Sequence, residues 1–288
     1  MSLLLGGRSA RVVERFLAHR VATAGLLVLG LIAVTVVILP LLIPFDPNRT
    51  NLDQIFLAPS PQHPFGTDSL GRDLGLRMAH GGRISLAVGI LTVAIAASLG
   101  TVVGAVAGFY GGLLDTILMR FVDMMLSFPR LFLLILASVL LRDSPIPSFL
   151  VIVVLLGSLS WMSVARIVRS SVLSLKERQF VEAARSIGAT GFNLLWSHLL
   201  PNSLAPVIVA ATLGVGSAII AESTLSFLGL GIQPPTASWG NLLKDAQSDM
   251  QIAPWTAIFP GLAIFLTVVS VNFVGDALRD ALDPRHSH

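Results

Sequence analysis

Long uncharged runs alternate with short charged segments along most of this chain. A helical membrane span needs roughly 17 to 25 mostly apolar residues, and residues 21–44 meet that length without a charge. Residues 84–110, 144–165, 202–221 and 251–275 are likewise uncharged, while 131–141 is long enough only if it recruits residues from about Phe121 onward. The pattern predicts six spans. Residues 223–243 are uncharged too, but Gly229, Gly231, Pro234, Pro235 and Gly240 crowd them. Irregular backbone cannot cross lipid with its polar groups unpaired, so this stretch is expected as a re-entrant or surface loop buried against protein.

The short segments carry the orientation. Six spans put both termini on one side, and with that side inside, thirteen Lys and Arg fall inward and Arg49, Arg72, Arg77, Arg83, Arg142 and Lys244 outward, thirteen against six. The positive-inside rule then places the termini in the cytoplasm. The arginine-rich head (Arg8, Arg11, Arg15) before the first span looks like a signal peptide, but the apolar run is too long and no small-x-small cleavage site follows, so it reads as a retained anchor. The expected layout is a cytoplasmic segment 1–20, a first span 21–44, an extracytoplasmic segment 45–81, a core domain 82–276 and a cytoplasmic tail 277–288.

Within the second span Gly100, Gly104, Gly108 and Gly112 recur every fourth residue, a small-residue face that lets another helix approach closely. Intramolecular packing and a moving subunit interface both fit that face. Outside the membrane, 66–82 reads as an amphipathic surface helix. Asp68 is its N-cap, Asp73 and Arg77 pair at i, i+4, Leu70, Leu74 and Met78 form its apolar side, and Gly81 ends it.

Residues 174–202 are charged and helical between two apolar runs. Ser174 with Glu177 fits a capping box at a helix start, and Gly188 suits the left-handed position just past the end. Phe180, Ala184 and Ile187 share one face at i, i+4 and i+7. Phe192 to Leu200 can form a second short helix, stopped by Pro201 before the fifth span. Small residues beside one aromatic knob suit docking into a groove; a plain cytoplasmic helix is the alternative.

Composition narrows the classes. The 288 residues are 54% hydrophobic and only 12% charged, against about 25% charged in soluble domains, and the mean hydropathy is +0.82. A pI near 10.2 could indicate nucleic acid, but the basic residues are spread through short loops with almost no interleaved aromatics, so no nucleic-acid partner is expected. Cysteine is absent, which excludes disulfides and thiol chemistry. No phosphate loop precedes either lysine, Lys176 or Lys244, so the chain is expected not to hydrolyse ATP. His63, Asp68 and Asp73 fit turns and caps better than a metal site, the tail residues His286 and His288 read as disordered, and no catalytic residues or resident cofactor are expected. Glu222 at the outer end of the fifth span is a functional candidate by default, with a watered interfacial position as its rival, and no role is assigned to it.

The run "EAARSIGATGFNLLWSHLLPN" resembles the EAA loop of the permease subunits of bacterial ABC importers, here within 166–201. That pattern is Glu-Ala-Ala, three residues, Gly, nine residues, Ile-x-Leu-Pro, and Glu182, Ala183, Ala184, Gly188, Leu200 and Pro201 match it. His198 stands at the Ile position, in keeping with the peptide and nickel subgroup. "HPFGTDSLGRD", "AESTLSFLGLGIQPPTASWG" and "FPGLAIFLTVVSVNFVGDALRDALDPR" resemble the same subgroup, so the likeness covers nearly the whole chain. It implies an all-α, polytopic type I ABC importer permease fold in the bacterial cytoplasmic membrane. It implies a second permease subunit (a heterodimer), two ABC ATPase subunits using ATP and Mg, and an extracytoplasmic substrate-binding protein. The matched helix would be the coupling helix in an ATPase cleft, with Glu182, Ala183, Ala184 and Gly188 in contact. Di- or oligopeptides are the implied cargo, with nickel or glutathione as alternatives; a passive channel or membrane scaffold is the reading from another class.

Overall fold

A computed structural model describes residue 16, residues 19–42 and residues 46–282. The arginine-rich head and the tail with Arg285, His286 and His288 lie outside the described residues. Among the described residues the fold is all-helical, with no strand beyond a single bridge between Thr67 and Asp73. Five helical segments are long and apolar enough to cross a membrane, or six if one bent pair counts as a span.

The first, α1 (Arg20–Leu42), contains Pro40. A proline inside a helix removes an amide and leaves the carbonyl four residues back without its partner, and that carbonyl belongs to Val36. Arg83 supplies the missing donor, its Nε donating to Val36 O at 2.8 Å, and its Nη2 adds a bond to Val37 O at 2.5 Å. Gly25 lets α1 approach the backbone of Ser270 on the last helix, where an added Cβ would lie 3.1 Å from the Ser270 carbonyl oxygen.

The central element is α2 (Leu74–Tyr110), capped by Asp73, whose Oδ1 accepts the Leu76 amide at 2.8 Å. The separate surface helix expected over 66–82 does not exist. Gly81 and Gly82 are buried inside α2, which runs unbroken, and the expected boundary at 81/82 falls within it. Glycine weakens a helix but does not stop one whose neighbours pack against it; Gly82 makes room for Val36 and Trp239. Asp68 is not a helix cap. It accepts from the amides of Leu70 and Arg72 and from the guanidinium groups of Arg72 and Arg77, while Asp73 pairs with His63 Nδ1 at 2.7 Å instead of with Arg77.

In place of one straight third span stand two short helices. α3 (Gly112–Ser127) and α4 (Arg130–Leu140) meet at Phe128 and Pro129 at an angle of 84°. Proline holds the residue before it in extended backbone, and Phe128 has φ −83°, ψ 140°. α5 (Ser148–Ser158) and α6 (Trp161–Lys176) together make the fourth crossing. Ser174, expected to start a helix, lies inside α6, because Leu173, Leu175 and Lys176 are good helix formers and continue it. The short α7 (Gln179–Ser186) starts only after Glu177 and Arg178.

The break expected at Pro201 is also missing. Residues Gly191–Asn193 are helical, Leu194–Leu199 form π turns, and these run directly into α8 (Leu200–Phe227), which contains Pro201 and Pro206. A local π adjustment re-pairs the groups that a proline frees, so the helix continues. After α8 an irregular stretch leads to α9 (Trp239–Asp245) and then α10 (Trp255–Leu282). The apolar interior has three parts: one where α2, α6, α7 and the π turns meet, one among α2, α4, α5 and α8, and one around Trp239 between α1 and α2.

Candidate functional site

The matched residues lie together at one end of the bundle. α7 is eight residues long, too short to hold as an isolated helix, so packing must hold it. Val181 and Ala184 provide that packing: both are buried, in one apolar cluster with Leu194, Leu195 and Leu199 of the π turns, Val168 and Val172 of α6 and Ala105 of α2. The buried face is therefore Val181 and Ala184, at i and i+3. Ala184 is 5% exposed, whereas Ile187, expected beside it, is 87% exposed. The expected common face of Phe180, Ala184 and Ile187 is split, because the adjoining π turns present their leucines to α7 and take its small residue. Glu182, Ala183, Arg185 and Ser186 point outward with Ile187, and Phe180, Phe192 and Trp196 add exposed aromatic surface.

Gly188 ends α7 with φ +87°. Its amide donates to Arg185 O at 3.0 Å, and the Ala189 amide donates to Ala184 O at 3.0 Å, the two bonds of a Schellman cap. A residue with a Cβ pays a steric penalty at that φ, so the cap holds the turn toward residue 191. Leu200 is partly buried against the same cluster, and Pro201 is exposed at the start of α8.

Polar contacts tie this end to the long helices. Lys176 Nζ, at the end of α6, donates to Phe109 O at 2.7 Å and so caps the final turn of α2. Arg169 on α6 makes a two-pronged pair with Asp115 on α3, at 2.5 and 2.6 Å, and Arg166 pairs with Asp123 one turn further along. Two-pronged guanidinium–carboxyl pairs fix orientation as well as distance.

Behind this end, Gly100, Gly104 and Gly108 form a seam between α2 and α6. A Cβ on Gly100 would lie 2.6 Å from Trp161 O, and one on Gly108 2.9 Å from Arg169 O; on Gly104 it would meet Ala165 O and, at 2.9 Å, Val168 Cβ. The helices touch backbone to backbone there, one turn per glycine. Gly112 is not on this seam. α2 ends at Tyr110, Gly111 and Gly112 both have positive φ, and nothing lies within 4 Å of where a Gly112 side chain would begin. The spacing of four continues past a helix that has already stopped.

The carboxyl group of Glu222 is fully buried, not at a watered interface. Its Oε1 accepts from Ser226 Oγ at 2.7 Å and Ser238 Oγ at 2.8 Å, and its Oε2 faces Ser85 and Ser223 at 3.4 and 3.5 Å. Three of those hydroxyls accept backbone amides in turn: Ser226 from Ile232, Ser85 from Trp239, Ser238 from Asn241. One carboxyl thus organises the irregular backbone between α8 and α9 and fastens it to α2. Ser223 and Ser226, at one and four residues from Glu222, were visible as same-helix neighbours in the sequence; Ser85 and Ser238 were not. No group of three or more His, Cys, Asp or Glu that could hold a metal occurs among the described residues.

With this geometry in view, similarity to known proteins becomes specific. Residues 100–288 match the family described as binding-protein-dependent transport system inner membrane component, and residues 8–59 match the N-terminal TM domain of oligopeptide transport permease C. A putative peptide permease protein of Brucella suis biovar 1 is 45% identical over 97% of this chain and 92% of its own length. An oligopeptide transport system permease protein of Haemophilus influenzae is 42% identical over 94% of this chain and 87% of its own. A glutathione transport system permease protein of Pectobacterium atrosepticum is 45% identical over 94% and 89%.

Proposed function

Because the chain belongs to the family of binding-protein-dependent transport system inner membrane components, we propose that it is the permease subunit of an ATP-driven importer that carries di- or oligopeptides by alternating access. The similarity to peptide permeases over almost the whole chain carries this reading. The chain is a multi-pass membrane protein of the inner membrane, and its family works with ATPase and substrate-binding partners.

The finer assignments are ours. The chain pairs with a second, related permease, and two ATPase subunits bind ATP and Mg and dock against the exposed side of α7. An extracytoplasmic binding protein delivers the cargo, and the excess of Lys and Arg places the termini in the cytoplasm. Glu182, Ala183 and the aromatic surface beside them make the ATPase contact. Ala184, Gly188 and Leu200 hold α7 in place for it, and Pro201 opens α8 next to that cluster. Motor closure would push on α7, and the cluster that buries Val181 and Ala184 passes that push to α2, α6 and α8. A rigid link is needed because two-state motion is transmitted through packed elements and not through loose ones.

Glutathione is the second reading, favoured by the Pectobacterium relative at comparable identity. The test is ATP-dependent uptake by the reconstituted complex with its binding protein, offered a dipeptide, glutathione and nickel in parallel. Dipeptide uptake is expected. Uptake of nickel without either peptide would overturn the cargo assignment and leave the coupling assignment standing.

A further inference from the structure

Between α2, α4, α6 and α8 lies a cavity of about 240 Å³. It sits at mid-length of the long helices: Thr92 is the middle residue of α2, and Gly214 lies at the centre of α8. Arg130, Ser160, Ser163 and Ser217 bring polar groups to its wall.

Two of the lining residues, Arg130 and Thr92, lack the partners that comparable side chains have. Arg166 and Arg169 each pair with a carboxyl group on α3, but Arg130 pairs with none among the described residues. Its Nη2 donates to Ser160 Oγ at 2.7 Å, which leaves most of the five guanidinium N–H donors without a protein acceptor. An ionisable side chain inside a span is costly and ordinarily faces a partner or a functional pathway. Thr92 is the second case. Thr35, Thr116, Thr212 and Thr224 each return their hydroxyl to the carbonyl four residues back. Thr92 Oγ1 is buried, on a residue 1% exposed, and has no hydrogen-bond partner. Arg130, exposed at the start of α4 with no carboxyl partner, and Thr92, whose unpaired hydroxyl is buried in the wall, therefore line one cavity.

A peptide end supplies what both lack. Its carboxylate matches the guanidinium fork with two parallel hydrogen bonds, and its oxygens or terminal amide can take up the threonine hydroxyl. Resting on the peptide reading above, we propose that this cavity is a transit subsite for the carboxylate end of the peptide, with Arg130 as its charge partner and Thr92 as its second hydrogen-bonding contact. The competing role for Arg130 is structural: through Ser160, whose Oγ also donates to Leu156 O at 2.5 Å, it could simply finish the end of α5.

The test uses the complete complex in vesicles, saturating binding protein loaded with a dipeptide, and two readouts: peptide uptake and the ATP hydrolysis that the loaded binding protein stimulates. Arg130→Gln should lower uptake roughly tenfold or more while stimulated ATP hydrolysis stays within about twofold, and Arg130→Lys, which keeps the charge but not the two-pronged fork, should restore uptake only in part. Thr92→Val separates the roles independently of how Arg130→Gln folds. Removing a buried hydroxyl that has no protein partner is neutral or stabilising for the fold, so a several-fold loss of uptake marks contact with cargo. Unchanged uptake in Thr92→Val, or uptake and ATP hydrolysis falling in step in Arg130→Gln, overturns the subsite. A parent complex that imports nickel and no peptide overturns both this inference and the cargo assignment; peptide import indifferent to the substitutions overturns this inference alone.

Discussion

Glu222 shows how one residue can stabilise an irregular segment. The stretch between α8 and α9 has no ladder or helix to pair its amides, so its polar groups must find side chains. They find serines, and the serines find Glu222. Glu222→Ala would leave hydroxyls without an acceptor and a hole where the side chain was, a loss of about 2–5 kcal/mol. Glu222→Gln keeps one oxygen and the volume, so its cost should stay near 1 kcal/mol. Thermal unfolding of the purified complex in detergent separates them: a large fall in midpoint for Ala and a small one for Gln is expected, and equal falls would show that the carboxyl group is not the organiser.

Among elements, α1 is held by a specific polar contact. Its apolar residues largely face outward, so sequence hydrophobicity does little to fix it to its neighbours. The Val36 carbonyl freed by Pro40, the Val37 carbonyl beside it and the guanidinium of Arg83 do that work. Arg83→Leu removes both hydrogen bonds and leaves Val36 O unpaired, a cost of about 1–3 kcal/mol. Proteolysis should then cut more readily between α1 and α2, within 46–73. The same substitution combined with Pro40→Ala, which gives Val36 O its helical partner back, should recover most of the resistance. A double variant as sensitive as Arg83→Leu alone would rule out this account. α7 teaches the complementary lesson, since the local pattern placed a helix ending at Gly188 but neither its start, which is Gln179 and not Ser174, nor its buried side, which the π-turn leucines chose.

At the scale of the whole molecule the question is which surface another protein meets. No native cysteine complicates the answer, so single cysteines can be placed across α7. Ala183→Cys and Ile187→Cys are expected to cross-link to single cysteines around the ATPase cleft in the assembled complex, whereas Ala184→Cys, on the buried side of α7, should remain silent. Cross-linking from Ala184→Cys with none from Ala183→Cys or Ile187→Cys would mean that the seated arrangement of α7 is not the docked one.

The sequence by itself determined the all-helical membrane class, the bounds of the first span to within a turn, the irregular loop after α8, the cap at Gly188 and the family. These follow from composition, from uncharged length and from backbone preferences that act within a few residues. Tertiary structure decided the rest. It carried α2 through Gly81 and Gly82, because neighbours filled the space those glycines leave; it stopped the glycine seam at Gly108, because the helix ends before Gly112. It ran α8 past Pro201 by π turns and buried Ala184 in place of Ile187. It also brought Ser85 and Ser238 to Glu222, and Thr92 and Arg130 to one cavity. Local preferences cannot foresee such outcomes, because each depends on which distant residue fills a space or accepts a hydrogen bond, and that is fixed only when the helices meet.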